Sequence, residues 1–139
     1  MARQNYEPAG AQRSCSMDIA LCNICLYITY MMKQIEDSAA LAAFPEGRGI
    51  ELLFLSRPDC GVCAPVKTKV EQLTEEYPEV RSRAADLSQL PEAAGILGVF
   101  TVPAVLLYVK GKETLRFARH FSMDELAAAI ERYRALLYQ

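Results

Sequence analysis

Cys60 and Cys63 stand three positions apart in the stretch RPDCGVCAPVK, residues 57–67. A C-x-x-C pair of this kind is a metal half-site, a structural pair or a working thiol couple. The residues on either side separate these readings. IELLFLS (50–56) is a nearly continuous apolar run bounded by turn residues, the pattern of a strand buried on both faces. CAPVKTKVEQLTEEY (63–77) is amphipathic, with Val66, Val70, Leu73 and Tyr77 on one face, and Pro78 stops it. Cys60 is therefore expected just after a buried strand, at the beginning of a helix. Free N–H groups and partial positive charge at such a place favour a thiolate, the attacking species in disulfide exchange. Cys63, one helical turn inward, can reach the first sulfur and resolve a mixed disulfide. Gly61 is expected to let the backbone turn tightly between the two.

The remaining cysteines argue against a secreted disulfide scaffold. There are five in all, and Cys15, Cys22 and Cys25 precede the pair while residues 64–139 contain none. Cys22 and Cys25 form a second C-x-x-C, which with Cys60 and Cys63 could complete a four-ligand zinc site. The separation exceeds that of the usual zinc ribbons, and a helix and a buried strand intervene. Cys22 and Cys25 also lie inside an apolar run, where thiols are compatible with burial. Cys15 reads as an incidental exposed thiol. His120, the single histidine, sits near a strand end and reads as a surface or partner-rim residue. Lys67 and Lys69 read as a solvated helix face, with Lys67 placed to lend the thiolate some positive potential. No metal ligand set is assigned. No G-x-G-x-x-G or phosphate-loop pattern is present, so no bound cofactor is expected.

Composition limits the function classes further. A net charge of −2 without a basic stripe gives no footprint for nucleic acid or an anionic membrane. A length of 139 residues with 52% apolar composition suits one domain and an appendage. Residues 1–31 form that appendage. Residues 1–16 are polar and aperiodic and are expected to be disordered. IALCNICLYITYMM, residues 19–32, is an apolar run shorter than the roughly 18 residues a membrane span needs. Three readings stay open for 1–31: a non-native or unstructured leader before a natural start at Met31 or Met32, a membrane-associating or buried segment, or an export signal.

Residues 32–139 read as alternating helices and strands. MKQIEDSAALAAF (32–44) has helical spacing and ends at Pro45; EVRSRAADL (79–87) is a strand, and LPEAAGILG (90–98) a short helix ending at Gly98. VPAVLLYV (102–109) and ETLRFARHF (113–121) flank KGK as an antiparallel hairpin, on which Tyr108 and Phe117 read as packing residues. The last helix, 123–138, opens with a Ser122-x-x-Glu125 capping box and buries Leu126, Ile130, Tyr133 and Leu137. The order αβαβαββα demands a mixed sheet covered by helices on both faces.

With the elements in this order, residues 32–139 resemble the thioredoxin superfamily. Two motifs carry the likeness. DCGVC (59–63) is similar to the family's W-C-G-P-C, and TVP (101–103) opens a later strand where the family has a cis-proline facing both sulfurs. The resemblance implies an α/β thioredoxin fold, a mixed central sheet with helices on both faces. It also implies that Pro103 is cis, that the Val102 backbone pairs with a bound peptide, and that Thr101, Gly61 and Val62 border the substrate. Several residues depart from the family pattern. Asp59 replaces the tryptophan and opposes thiolate formation, which Arg57 offsets. Val62 replaces the proline at a position that tunes redox potential. Phe54 stands where thioredoxins carry a buried aspartate serving the resolving cysteine. Pro65 comes early and is expected to make the first helical turn irregular. Arg119 stands near a glycine of the family's flat docking surface.

The expected function is thiol–disulfide exchange, with Cys60 attacking and Cys63 resolving. Its partners would be protein or small-molecule disulfides and an unidentified reductase or thiol donor. The chain is expected to act as a monomer in the cytoplasm, export or membrane association through residues 17–32 being the alternative. A thioredoxin-fold binding module whose cysteines are not turned over, and a zinc protein, remain the rival readings.

Overall fold

In the computed structural model, which describes residues 32–139, the chain runs β1 (Lys33–Ile35), α1 (Ser38–Ala43), β2 (Ile50–Ser56), α2 (Cys63–Glu75), β3 (Val80–Asp86), α3 (Pro91–Leu97), β4 (Ala104–Val109), β5 (Lys112–Ala118) and α4 (Met123–Leu137). The readings made of residues 1–31, including Cys15, Cys22 and Cys25, lie outside the described residues.

The strands form one mixed sheet in the order β1-β3-β2-β4-β5. β2 is central, parallel to β3 and antiparallel to β4. Its side chains alternate between two cores, as a strand with no solvent face must. Ile50, Leu52 and Phe54 enter one core with Val70 and Tyr77 beside α2 and with Leu126 and Ile130 of α4. Leu53 and Leu55 enter the other with Leu41 of α1 and Ala93 and Ala94 of α3. Helices thus cover both faces, as the element order requires. Val66, Leu73, Tyr133 and Leu137 pack against the first core from its edge. Among the described residues no helix is long and apolar enough to cross a membrane.

One expectation is overturned: residues 32–44 are not one helix. Lys33, Gln34 and Ile35 pair with Arg83, Ala84 and Ala85 along the open edge of β3, so the sheet gains a leading strand. The helix starts only after Asp37, whose carboxylate accepts the Ala40 N–H at 2.7 Å. Helical spacing in so short a segment does not compete with a backbone ladder at a sheet edge.

A second feature was hidden inside an apolar run. Glu51 on β2 is fully buried, and its carboxylate accepts the Glu46 N–H at 2.8 Å and the Gly47 N–H at 3.0 Å. Those two bonds satisfy the buried acid and tie the α1–β2 loop to the sheet. At the same end of the sheet, where the Lys110 N–H donates to the Gly49 C=O at 2.8 Å, Lys110 and Gly111 both take left-handed φ (51° and 80°), the backbone a two-residue turn between twisted strands requires. The α4 capping box forms as expected, with Ser122 Oγ accepting the Glu125 N–H at 3.1 Å and Glu125 accepting the Ser122 N–H at 2.9 Å.

Tyr108 of β4 gives the fold an alkaline limit. It is 6% exposed and lies edge-on against Phe44 at 5.8 Å between ring centroids. Burial, with the Glu113 carboxylate adding to it, pushes its hydroxyl from 10.0 up to about 12. Between those values the unfolded chain releases this proton while the fold retains it, so stability falls as pH rises through that window. Denaturant midpoints of the Tyr108→Phe variant are expected to fall less steeply than wild type from about pH 10 to 12. An identical slope in both proteins would overturn this.

Candidate functional site

β2 ends at Ser56, and the chain turns at once. The Cys60 N–H donates to the Arg57 C=O at 3.2 Å, closing a four-residue turn with Pro58 in the position that favours proline. Cys60 thus sits in the loop, not in α2, which begins with Cys63. The Cys63 N–H donates to the Cys60 C=O at 3.3 Å. The two side chains form a disulfide with Cα atoms 5.4 Å apart, within the range such a bond needs. Their surroundings differ: Cys60 is half-buried, whereas Cys63 is only 3% exposed.

Two local expectations are corrected. Pro65 does not disturb the first turn, because the Val66 N–H donates to the Val62 C=O at 3.2 Å and opens a regular helix. Pro65 is the third helical residue, where no N–H is needed. Gly61 is not required by the turn either: its φ lies outside the left-handed region, and a Cβ there would meet nothing within 4 Å. What Gly61 provides is open space beside the sulfurs. Lys67 is engaged by Glu71 at 3.5 Å, so its charge is directed along α2 instead of toward Cys60.

The sheet register brings a second loop to the same end. Leu55 of β2 pairs with Ala104 of β4, and Ala104 in turn pairs with Ala118 of β5. The residues before Ala104 and after Ala118 therefore meet at the edge from which the Cys60 loop departs. The Val102–Pro103 peptide bond is cis, Pro103 is buried, and Thr101 and Val102 are half-buried. The Pro103 C=O accepts the Arg119 N–H at 3.0 Å, which ties the β5–α4 connection to the proline. A second cis bond, Phe44–Pro45, lies in the α1–β2 loop and had no sequence signal.

Beside the cysteines a shallow groove of about 540 Å3 runs between α2 and the β5–α4 connection. Val62, Val66 and Phe121 form its apolar wall; Arg119, His120, Ser122 and Glu125 form its polar one. Val62 is 57% exposed, so it lies open to a partner. Phe121, Ser122 and Glu125 were not foreseen as site residues; they follow a strand whose end only the register places here. Asp59 is exposed and Arg57 half-buried. Among the described residues neither takes part in an ion pair, so the expected compensation between them is not made by direct contact. The four-cysteine zinc reading depends on Cys22 and Cys25, outside the described residues.

No protein-family model matches the chain. The thioredoxin-like protein YdfQ of Bacillus subtilis is 28% identical over 101 residues, which cover 73% of this chain and 90% of that protein. Among solved structures, a thioredoxin-like protein from Bacillus cereus is 33% identical with a TM-score of 0.55, over 67% of this chain and 98% of that one. Fasciola hepatica thioredoxin is 29% identical with a TM-score of 0.66, over 73% of this chain and 99% of that one. In each case the likeness covers nearly the whole of the relative.

Proposed function

Because the chain belongs to the thioredoxin superfamily, we propose that it is a thiol–disulfide oxidoreductase working through Cys60 and Cys63. The observation that carries this reading is the unequal burial of a bonded pair: Cys60 half-open in a loop, Cys63 closed off at the first turn of α2. In the reduced protein the Cys60 thiolate attacks one sulfur of a substrate disulfide. That S–S bond breaks, and the other substrate sulfur leaves as a thiolate and takes a proton. Cys63, losing its own proton, then attacks the Cys60 sulfur and expels the second substrate sulfur. The substrate gains two electrons and two protons, and the protein is left with the Cys60–Cys63 disulfide. A thiol donor or a reductase protein resets it.

Each neighbouring residue has a part in this scheme. Pro103, with its cis bond, flanks the couple, and the Val102 backbone offers hydrogen bonds to an extended substrate. Thr101, Gly61 and Val62 border the approach to Cys60. The Phe54 ring stands at the family's aspartate position, so proton removal from Cys63 falls to water or another group. The natural disulfide substrate and the source of reducing equivalents belong to the same proposal.

Equilibration in glutathione redox buffers, trapped by alkylation and read by mass spectrometry on the Cys60–Cys63 peptide, tests it. A single two-electron transition between about −270 mV and −120 mV is expected. A value near the lower limit makes the protein a reductant, and one near the upper limit an oxidant. A pair that stays reduced throughout would overturn the proposal. The exposed Val62 and its groove would then favour a binding module that docks a partner without turning over its sulfurs.

A further inference from the structure

We propose that the groove beside Cys60 selects peptides carrying a carboxylate near the disulfide cysteine. This deepens the oxidoreductase reading and rests on it. The first ground is charge. Arg119 has no carboxylate within 4.0 Å among the described residues, as is also true of Arg48, Arg57, Arg83 and Arg132, but of these it alone lines the groove. His120 stands beside it on the same wall. The one acid of the lining, Glu125, already accepts the Ser122 N–H at 2.9 Å and lies in the first turn of α4, where the partial positive charge of the helix end offsets it. The Arg119 guanidinium is thus left open to a guest carboxylate while Glu125 is engaged at the helix cap, and Val62, Val66 and Phe121 supply an apolar surface for the guest's neighbouring side chains.

The second ground is the backbone that holds Arg119. Its φ is 62°, and the His120 N–H donates to the Ala118 C=O at 2.9 Å, closing a three-residue turn around it. Positive φ at the centre of such a turn is the strained hand for a side-chain-bearing residue, and glycine would avoid the cost. Lys110, the other non-glycine residue in this region, has a hairpin to explain it; Arg119 has none. Strain retained at the rim of a site is a mark of function. The Arg119 N–H is also bonded to the Pro103 C=O, so the backbone that carries the cation is tied to the cis-proline loop. Asp59, immediately before Cys60, repels an acid on its own side and leaves the selected carboxylate to the Arg119 side.

The test uses reduced full-length protein in single turnover against three short disulfide peptides, identical except for glutamate, glutamine or lysine flanking the cysteines. The rate constants are expected to fall from glutamate to glutamine to lysine by about two- to fivefold per step at low salt. The order should fade near 1 M salt. Arg119→Gln is expected to flatten the series and Arg119→Glu to invert it. A wild-type series without charge order, or an order that survives Arg119→Glu, overturns the proposal while leaving disulfide exchange intact. Failure to react with any of the three peptides instead overturns the oxidoreductase reading. Equilibrium binding of labelled serine-for-cysteine versions of the same peptides then decides the selectivity by itself.

Discussion

Cys60→Ser is expected to abolish disulfide reduction, a loss on the order of 10³-fold or more against wild type in an insulin-reduction assay. The serine hydroxyl is far less acidic than a thiol and cannot form the mixed disulfide, so no later step is reached. Cys63→Ser should fail differently. Cys60 remains the half-open sulfur and still attacks, but nothing resolves the product, so protein and substrate accumulate as a covalent adduct. Intact-mass analysis reads that adduct directly, and added thiol should release it. The two variants together separate catalysis from docking. A binding module whose cysteines are bystanders would hold its partner equally well in both and would form no adduct in either. Adducts formed through Cys63 in the Cys60→Ser protein, at the rate of the reverse pair, would overturn the assignment of Cys60 as nucleophile.

What the sequence made legible was local. Cys60 and Cys63 between a continuous apolar run and an amphipathic one, the glycine at the hairpin turn, and the Ser122–Glu125 capping box each depend on residues within a few positions of one another. What it hid depends on distant pairing. Lys33–Ile35 is a strand only because the edge of β3 is free to receive it. Glu51 passes for an interruption in an apolar strand until the Glu46 and Gly47 N–H groups are seen to face it. The groove joins Val62 and Val66 to Phe121, Ser122 and Glu125 across more than half of the described chain, and no spacing rule connects them. Arg119, which the resemblance sets near the docking surface, and His120, which the sequence sets near a strand end, both line the groove.

Phe54 ties the core to the chemistry, and Phe54→Ala is expected to cost about 3–5 kcal/mol. The ring is fully buried on β2, opposite Ala84 of β3 and Val105 of β4, in the core shared with Val70, Leu126 and Ile130. Its removal takes away apolar contact and leaves a cavity that neighbours held in a five-stranded sheet cannot fill. Against a total stability of about 5–15 kcal/mol this is a large fraction, and the thermal midpoint should fall by about 12 °C or more. Phe54→Leu keeps most of the volume and should lose less than about 1.5 kcal/mol. Phe54→Asp places a carboxyl among the same apolar side chains, so it should destabilise at least as strongly as alanine and hold its own proton to unusually high pH. If Phe54→Leu leaves the exchange rate unchanged while Phe54→Asp raises it per folded molecule, then the ring is there for the core, and the missing acid limits proton transfer at Cys63. If Phe54→Asp folds stably and exchanges no faster, water or another group already removes that proton well enough, and the ring costs the couple nothing.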